Sequence, residues 1–170
     1  MGPSTATSGF DRRNRTQRQM KPRFFEDFKK GDRLVTHGVT VTESHMLDFA
    51  QKYDPQVIHM DQVGAEQLPV GGIIASGWLT AALAFRQVVQ TGFLHGGGVV
   101  SPGLTDMKFL RPVRPGDTIT AIADVIEAKP TPNGSRGVVD ILYTVNNQRG
   151  ETVLSWLGRQ LVALRPRGAA

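Results

Sequence analysis

A chain of 170 residues, 39% of them hydrophobic, is long enough for one domain with a sizeable core and too short for several large ones. It has no cysteine, which excludes disulfides, thiolate metal sites and a cysteine nucleophile, and fits a reducing, cytoplasmic setting. The formal charge of +5 sits in residues 1–23, where Arg12, Arg13, Arg15, Arg18, Lys21 and Arg23 face only Asp11; the remainder is neutral, so nucleic acid is not the expected partner of the folded part.

Residues 1–22 are rich in Ser, Thr, Gly, Arg and Gln and read as a basic, loosely attached tail. No run of about 18 apolar residues occurs, so neither a membrane span nor a signal core is expected. One domain is expected over 23–165, with 166–170 as a short C-terminal tail. After a turn at Lys29–Asp32, the stretch Leu34–Val41 has the β-branched content of a strand. Thr42 then reads as an N-cap, and Met46, Phe49, Ala50 and Tyr53 recur at helical spacing. Pro55 disfavours the α conformation at Asp54, so that helix should stop there. Asp61 reads as the N-cap of a further short helix.

Asp54 and His59 thus fall at the two ends of a tight connection, where an acid and a base can face one small volume. An aspartate at the negative end of a helix dipole should have a raised pKa, which suits a proton acceptor. Taken alone, the same residues also describe an Asp-Pro turn followed by a surface histidine.

The segment Ser76–Val89 is apolar almost all the way round and too short to span a bilayer, so it should be a helix surrounded by protein. Four strand-like segments follow, at Leu104–Leu110, Thr118–Ala128, Gly137–Val145 and Thr152–Ala163, with hairpin loops at Asn133-Gly134 and Asn146–Gly150. Antiparallel strands around one buried helix make an α+β domain. The four histidines, His37, His45, His59 and His95, lack metal-ligand spacing, and Gly96-Gly97-Gly98 fits no phosphate-binding or nucleophile motif.

Three segments in order resemble one family. They are Asp54 to His59, Ile74-Ala75-Ser76-Gly77, and Phe109 to Asp117 with its Phe-x-x-Pro-Val-x-x-Gly-Asp pattern. Together they are similar to the MaoC-like acyl dehydratases and (R)-specific enoyl-CoA hydratases. The similarity runs from about Phe24 to Leu164. Departures are Gln56 in place of Asn, the proline at 55 instead of 57, and Ser76 in place of His.

The resemblance implies a hotdog fold, an antiparallel sheet wrapped around the long helix. It also implies fatty-acid chemistry, with Asp54 and His59 as the catalytic pair acting on a coenzyme A thioester substrate and no cofactor or metal. Gln56, Ser76, Gly77 and Trp78 are expected on the substrate side. The Gly77 amide, unpaired at a helix N-terminus, suits an oxyanion, and Ser76 suits a cap. Close packing of helix on sheet is the plainer role for Gly77. Lys108, Arg111 and Arg114 are expected at a rim that coenzyme A phosphates can reach, unless they are solvated turn residues. Trp78, Leu79 and Leu83 either line an acyl tunnel or pack the core. A homodimer or dimer of dimers is implied. A hotdog thioesterase and a non-catalytic acyl-thioester-binding subunit are the alternatives.

Overall fold

The computed structural model describes residues 21–96 and 99–166. The basic segment 1–20 and residues 167–170 lie outside the described part. Arg23, the first residue of the expected domain, packs against it. Its guanidinium lies 4.2 Å from the ring centre of Phe28 and 4.6 Å from that of Phe93, and its N–H donates to the His95 carbonyl at 2.7 Å.

The stretch expected as one strand is two, β1 (Arg33–Val35) and β2 (Val39–Thr40), both antiparallel to β4 (Thr118–Pro130). Val35 faces Ile122 and Val39 faces Ile119, so four residues run opposite three and the strand bulges. Thr36 holds the bulge. Its N–H donates to the Ala121 carbonyl and its hydroxyl accepts the Ala121 N–H, both at 2.9 Å.

The helix α1 (Glu43–Tyr53) is capped by Thr42, whose hydroxyl accepts the His45 N–H at 3.2 Å. It buries Met46 and Ala50 and ends where Pro55 requires. Two short helices follow, α2 (Val57–Met60) and α3 (Gln62–Glu66), the latter capped by Asp61 on the Gly64 N–H at 2.9 Å. Only α3 was expected; α2 is a single turn inside the Asp54–Asp61 connection.

After the long helix α4 (Gly77–Gln90) come β3 (Val100–Phe109), β4, β5 (Arg136–Asn146) and β6 (Thr152–Ala163). The sheet is antiparallel in the order β1-β4-β5-β6-β3. Alternate residues of β4 and β5 point inward, Ile119, Ala121, Ala123 and Val125 from one and Val139, Ile141, Tyr143 and Val145 from the other. Against them α4 buries Leu79, Leu83, Ala84 and Val88. Tyr143 is fully buried, stacks on Trp156 at 4.7 Å and 14°, and has its hydroxyl pKa pushed up by that burial.

One expectation needs correction. The helix α4 is not surrounded by this chain alone, because Trp78, Ala82, Phe85 and Val89 form an exposed apolar stripe at helical spacing. Beside it, every residue of β3 except Met107 is exposed. The sheet of one chain therefore covers only one side of this helix.

Candidate active site

The connection after α1 is set by hydrogen bonds as well as by proline. Asp54 closes α1 through its N–H to the Ala50 carbonyl (3.0 Å), and Gln56 N–H then donates to the Asp54 carbonyl at 2.8 Å. The single turn α2 swings His59 inward, to 5% exposure. There its Nδ1 donates to the Ile74 carbonyl at 2.8 Å, while Ile74 N–H donates to the Ile58 carbonyl at 3.0 Å. This reciprocal pair of bonds holds α2 against the segment that leads into α4. Since a carbonyl only accepts, Nδ1 carries a proton, and Nε2 is the nitrogen that faces the site.

His59 Nε2 lies 3.3 Å from Asp54 Oδ2. The same oxygen accepts from Ser76 Oγ at 2.6 Å, and Ser76 Oγ itself accepts the Trp78 N–H at 3.2 Å. Ser76 is therefore both the N-cap of α4 and a partner of the carboxylate. Gln56 Nε2 donates to the other oxygen, Oδ1, at 2.6 Å. Gln56 was expected to meet substrate; its donor points at Asp54.

The expected direction of the Asp54 pKa is also corrected. The Gln56 amide, then the Ser76 hydroxyl, hold the carboxyl below the usual carboxylate range, against the opposing effect of burial, with the nearby His59 adding to them. Direct hydrogen bonds to the charged form outweigh the helix dipole, which is the weaker of the two effects.

Asp54, Gln56 and His59 line a cleft of about 430 Å³ together with Gly77, Trp78 and Phe109. Among the described residues no acceptor takes the Gly77 N–H, as expected for the first turn of a helix. The side of Gly77 where a Cβ would stand is covered by the Phe109 ring, 2.4–2.8 Å from that position. Trp78 meets the same ring edge-on at 6.2 Å. Phe109 was not singled out as a site residue, although it opens the Phe-x-x-Pro-Val segment whose Pro112 and Val113 also line the cleft.

The cations divide. Arg114 is tied to the loop, donating to the carbonyls of Val70 and Gly71, so it serves structure at that point. Arg111 lines the cleft and lies 3.6 Å from Glu151. Lys108 is exposed on β3. Leu83 packs in the core, while Leu79 is buried there beside it and Trp78 is 59% exposed. Among the described residues no trio of His, Cys, Asp or Glu is placed to hold a metal ion.

The chain has relatives among known proteins. A curated family model, the MaoC like domain, matches residues 27–147. An uncharacterised Bacillus subtilis protein, YdeM, is 30% identical over 124 residues, which cover 73% of this chain and 87% of that protein. Mesaconyl-CoA hydratase of Cereibacter sphaeroides is 30% identical over 161 residues, covering 86% of this chain but 43% of the enzyme, so the chain spans under half of that relative. Among solved structures, the MaoC-like dehydratase from Rhodospirillum rubrum superposes with a TM-score of 0.79 at 33% identity, covering 84% of this chain and 98% of that one. A Mycobacterium tuberculosis protein with a double hotdog fold shares the fold at 19% identity and TM-score 0.68, covering 88% of this chain and 46% of that one. With the family model spanning most of the domain and the sheet wrapped on α4 as expected, the chain is a hotdog-fold member of the MaoC-like family.

Proposed function

We propose that the chain hydrates and dehydrates an enoyl/3-hydroxyacyl thioester, with coenzyme A as the acyl carrier. The observation that carries this reading is His59 Nε2 at 3.3 Å from Asp54 Oδ2, in the wall of a cleft that also holds the free Gly77 amide. Kinship to a mesaconyl-CoA hydratase supports the same chemistry.

A water on the cleft side of the pair, hydrogen-bonded to both groups, gives its proton to the Asp54 carboxylate while its oxygen adds to the β-carbon. The imidazolium form of His59 gives its Nε2 proton to the α-carbon from the same side. The proton on Asp54 then returns to Nε2, so one water is consumed and both groups are restored. As enolate charge grows on the thioester oxygen, the Gly77 N–H at the positive end of α4 stabilises it. No step needs a cofactor.

A panel of enoyl- and 3-hydroxyacyl-CoA thioesters tests this, following double-bond absorbance and free thiol together. Loss of the double bond without thiol release is expected. Thiol release instead identifies a thioesterase, and neither signal across the panel identifies a binding subunit or an acyl group outside it.

The active form is proposed to be a homodimer or a dimer of dimers. The exposed β3 edge and the apolar stripe of α4 adjoin, and a second copy seated there completes a continuous sheet and covers the stripe. Residues 24–170 carry no net charge to oppose it. Trp78 and Phe109 belong both to this face and to the cleft, so pairing also walls the site. Sedimentation at micromolar concentration is expected to give a dimer or a tetramer; a folded monomer overturns this.

A further inference from the structure

The Asp54–His59 connection departs from the pattern it resembles at neighbouring positions, with proline at 55 and glutamine at 56. In the fold these departures are one device. The bond from Gln56 N–H to the Asp54 carbonyl, 2.8 Å, closes a three-residue γ-turn centred on Pro55. An inverse γ-turn needs φ near −75°, close to the value the proline ring enforces. The turn brings Gln56 back over Asp54, and its Nε2 reaches Oδ1 at 2.6 Å. Ser76 holds Oδ2 at 2.6 Å from the α4 side. Each oxygen is thereby anchored by one donor and keeps a further lone pair for water or for His59.

We infer that Pro55 and Gln56 form a clip that fixes the Asp54 carboxylate beside His59, making Gln56 a positioning residue of the hydration step and not a substrate contact. The kinetic part of this inference rests on the hydration reading above; the clip itself does not. Without the clip only Ser76 holds the Asp54 carboxylate, which can then turn about that single bond away from the water it shares with His59. The donors of Gln56 and Ser76 also hold the Asp54 carboxyl below the usual carboxylate range.

Two variants test it. Gln56→Met keeps the length and removes the donor; Pro55→Ala keeps the donor and loosens the turn. Both positions are exposed, so folding should be unchanged. The Asp54 carboxyl carbon is followed by ¹³C NMR against pH, assigned by its absence in Asp54→Asn. In parallel, kcat and KM are measured against pH on the best thioester of the panel.

In Gln56→Met the Asp54 midpoint and the acidic limb of kcat/KM should both move to higher pH, and less so in Pro55→Ala. The loss of kcat should reach on the order of 10–10²-fold, the scale of a misplaced catalytic group, with KM nearly constant. A rise in KM with kcat and the acidic limb unchanged makes Gln56 a substrate contact and overturns the clip. An Asp54 titration identical to wild type overturns it as well. If wild type turns over no thioester of the panel, the kinetic arm lapses without touching the clip, and the NMR titration alone decides it.

Discussion

Asp54→Asn and His59→Ala are each expected to lower hydration roughly 10²–10⁴-fold, the usual worth of a positioned acid or base. The double variant should be little slower than the poorer single, because two groups that share one proton act as a unit. Folding must be followed alongside, since the two sites are not equally tolerant. His59 is buried and satisfies the Ile74 carbonyl, so His59→Ala leaves an orphaned acceptor and should cost about 1–3 kcal/mol. His59→Asn keeps a donor near the Nδ1 position and should lose turnover with less loss of stability. In Asp54→Asn the amide has one acceptor oxygen where the carboxylate has two, so either Gln56 or Ser76 loses a charge-assisted bond. Because the folded-state pKa of Asp54 is lowered, its carboxylate stabilises the fold above the ordinary carboxylate range, and that contribution disappears as pH falls through the lowered value. The wild type should therefore melt above Asp54→Asn at neutral pH and lose that margin on acidification. Melting temperature and single-turnover rate on the same preparations check all of this. A folded, active His59→Ala protein ends the hydration reading.

The sequence carried the parts of this site that obey local rules. Thr42, Pro55, Asp61 and Ser76 mark helix ends by their chemistry, and all four stand at the ends they announce. The strands β4, β5 and β6 were legible from their β-branched runs to within two residues at each end, and β6 over Thr152–Ala163 without error. What local patterning did not carry was long-range pairing. The bulge at Thr36 depends on Ala121, 85 residues away, and no pattern within 34–41 announces it. The turn α2 has no capping side chain, so only the fold shows that it turns His59 inward. The Asp54 pKa came out in the opposite direction because a helix-end argument sees the backbone dipole but not the donors of Gln56 and Ser76. For Arg114 the sequence left a phosphate contact and a turn residue equally open, and only the fold puts its guanidinium on the carbonyls of Val70 and Gly71.

Gly77→Ala separates the two roles open to that residue. The added Cβ would stand 2.4–2.8 Å from three atoms of the Phe109 ring, so the ring must move. The ring borders the open cleft, into which it can turn, and alanine is the better helix former by about 0.5–1 kcal/mol. The net loss of stability should therefore be small, within about 1–2 kcal/mol for a strained contact that can relax. Turnover should suffer far more. The methyl stands beside the N–H that the thioester oxygen must approach, and removal of one oxyanion donor commonly lowers kcat about 10²–10³-fold. The decisive protein is Gly77→Ala combined with Phe109→Ala. If glycine is needed only to seat the Phe109 ring, truncating the ring restores both stability and turnover. If glycine is needed so that the thioester can reach the amide, the double variant relieves the Cβ clash but stays slow, with a KM close to that of Phe109→Ala alone. The free N–H of Gly77 and its place in the wall of the cleft favour the second outcome. Single-turnover rates of the two single variants and the double, each scaled to its folded fraction, decide between them.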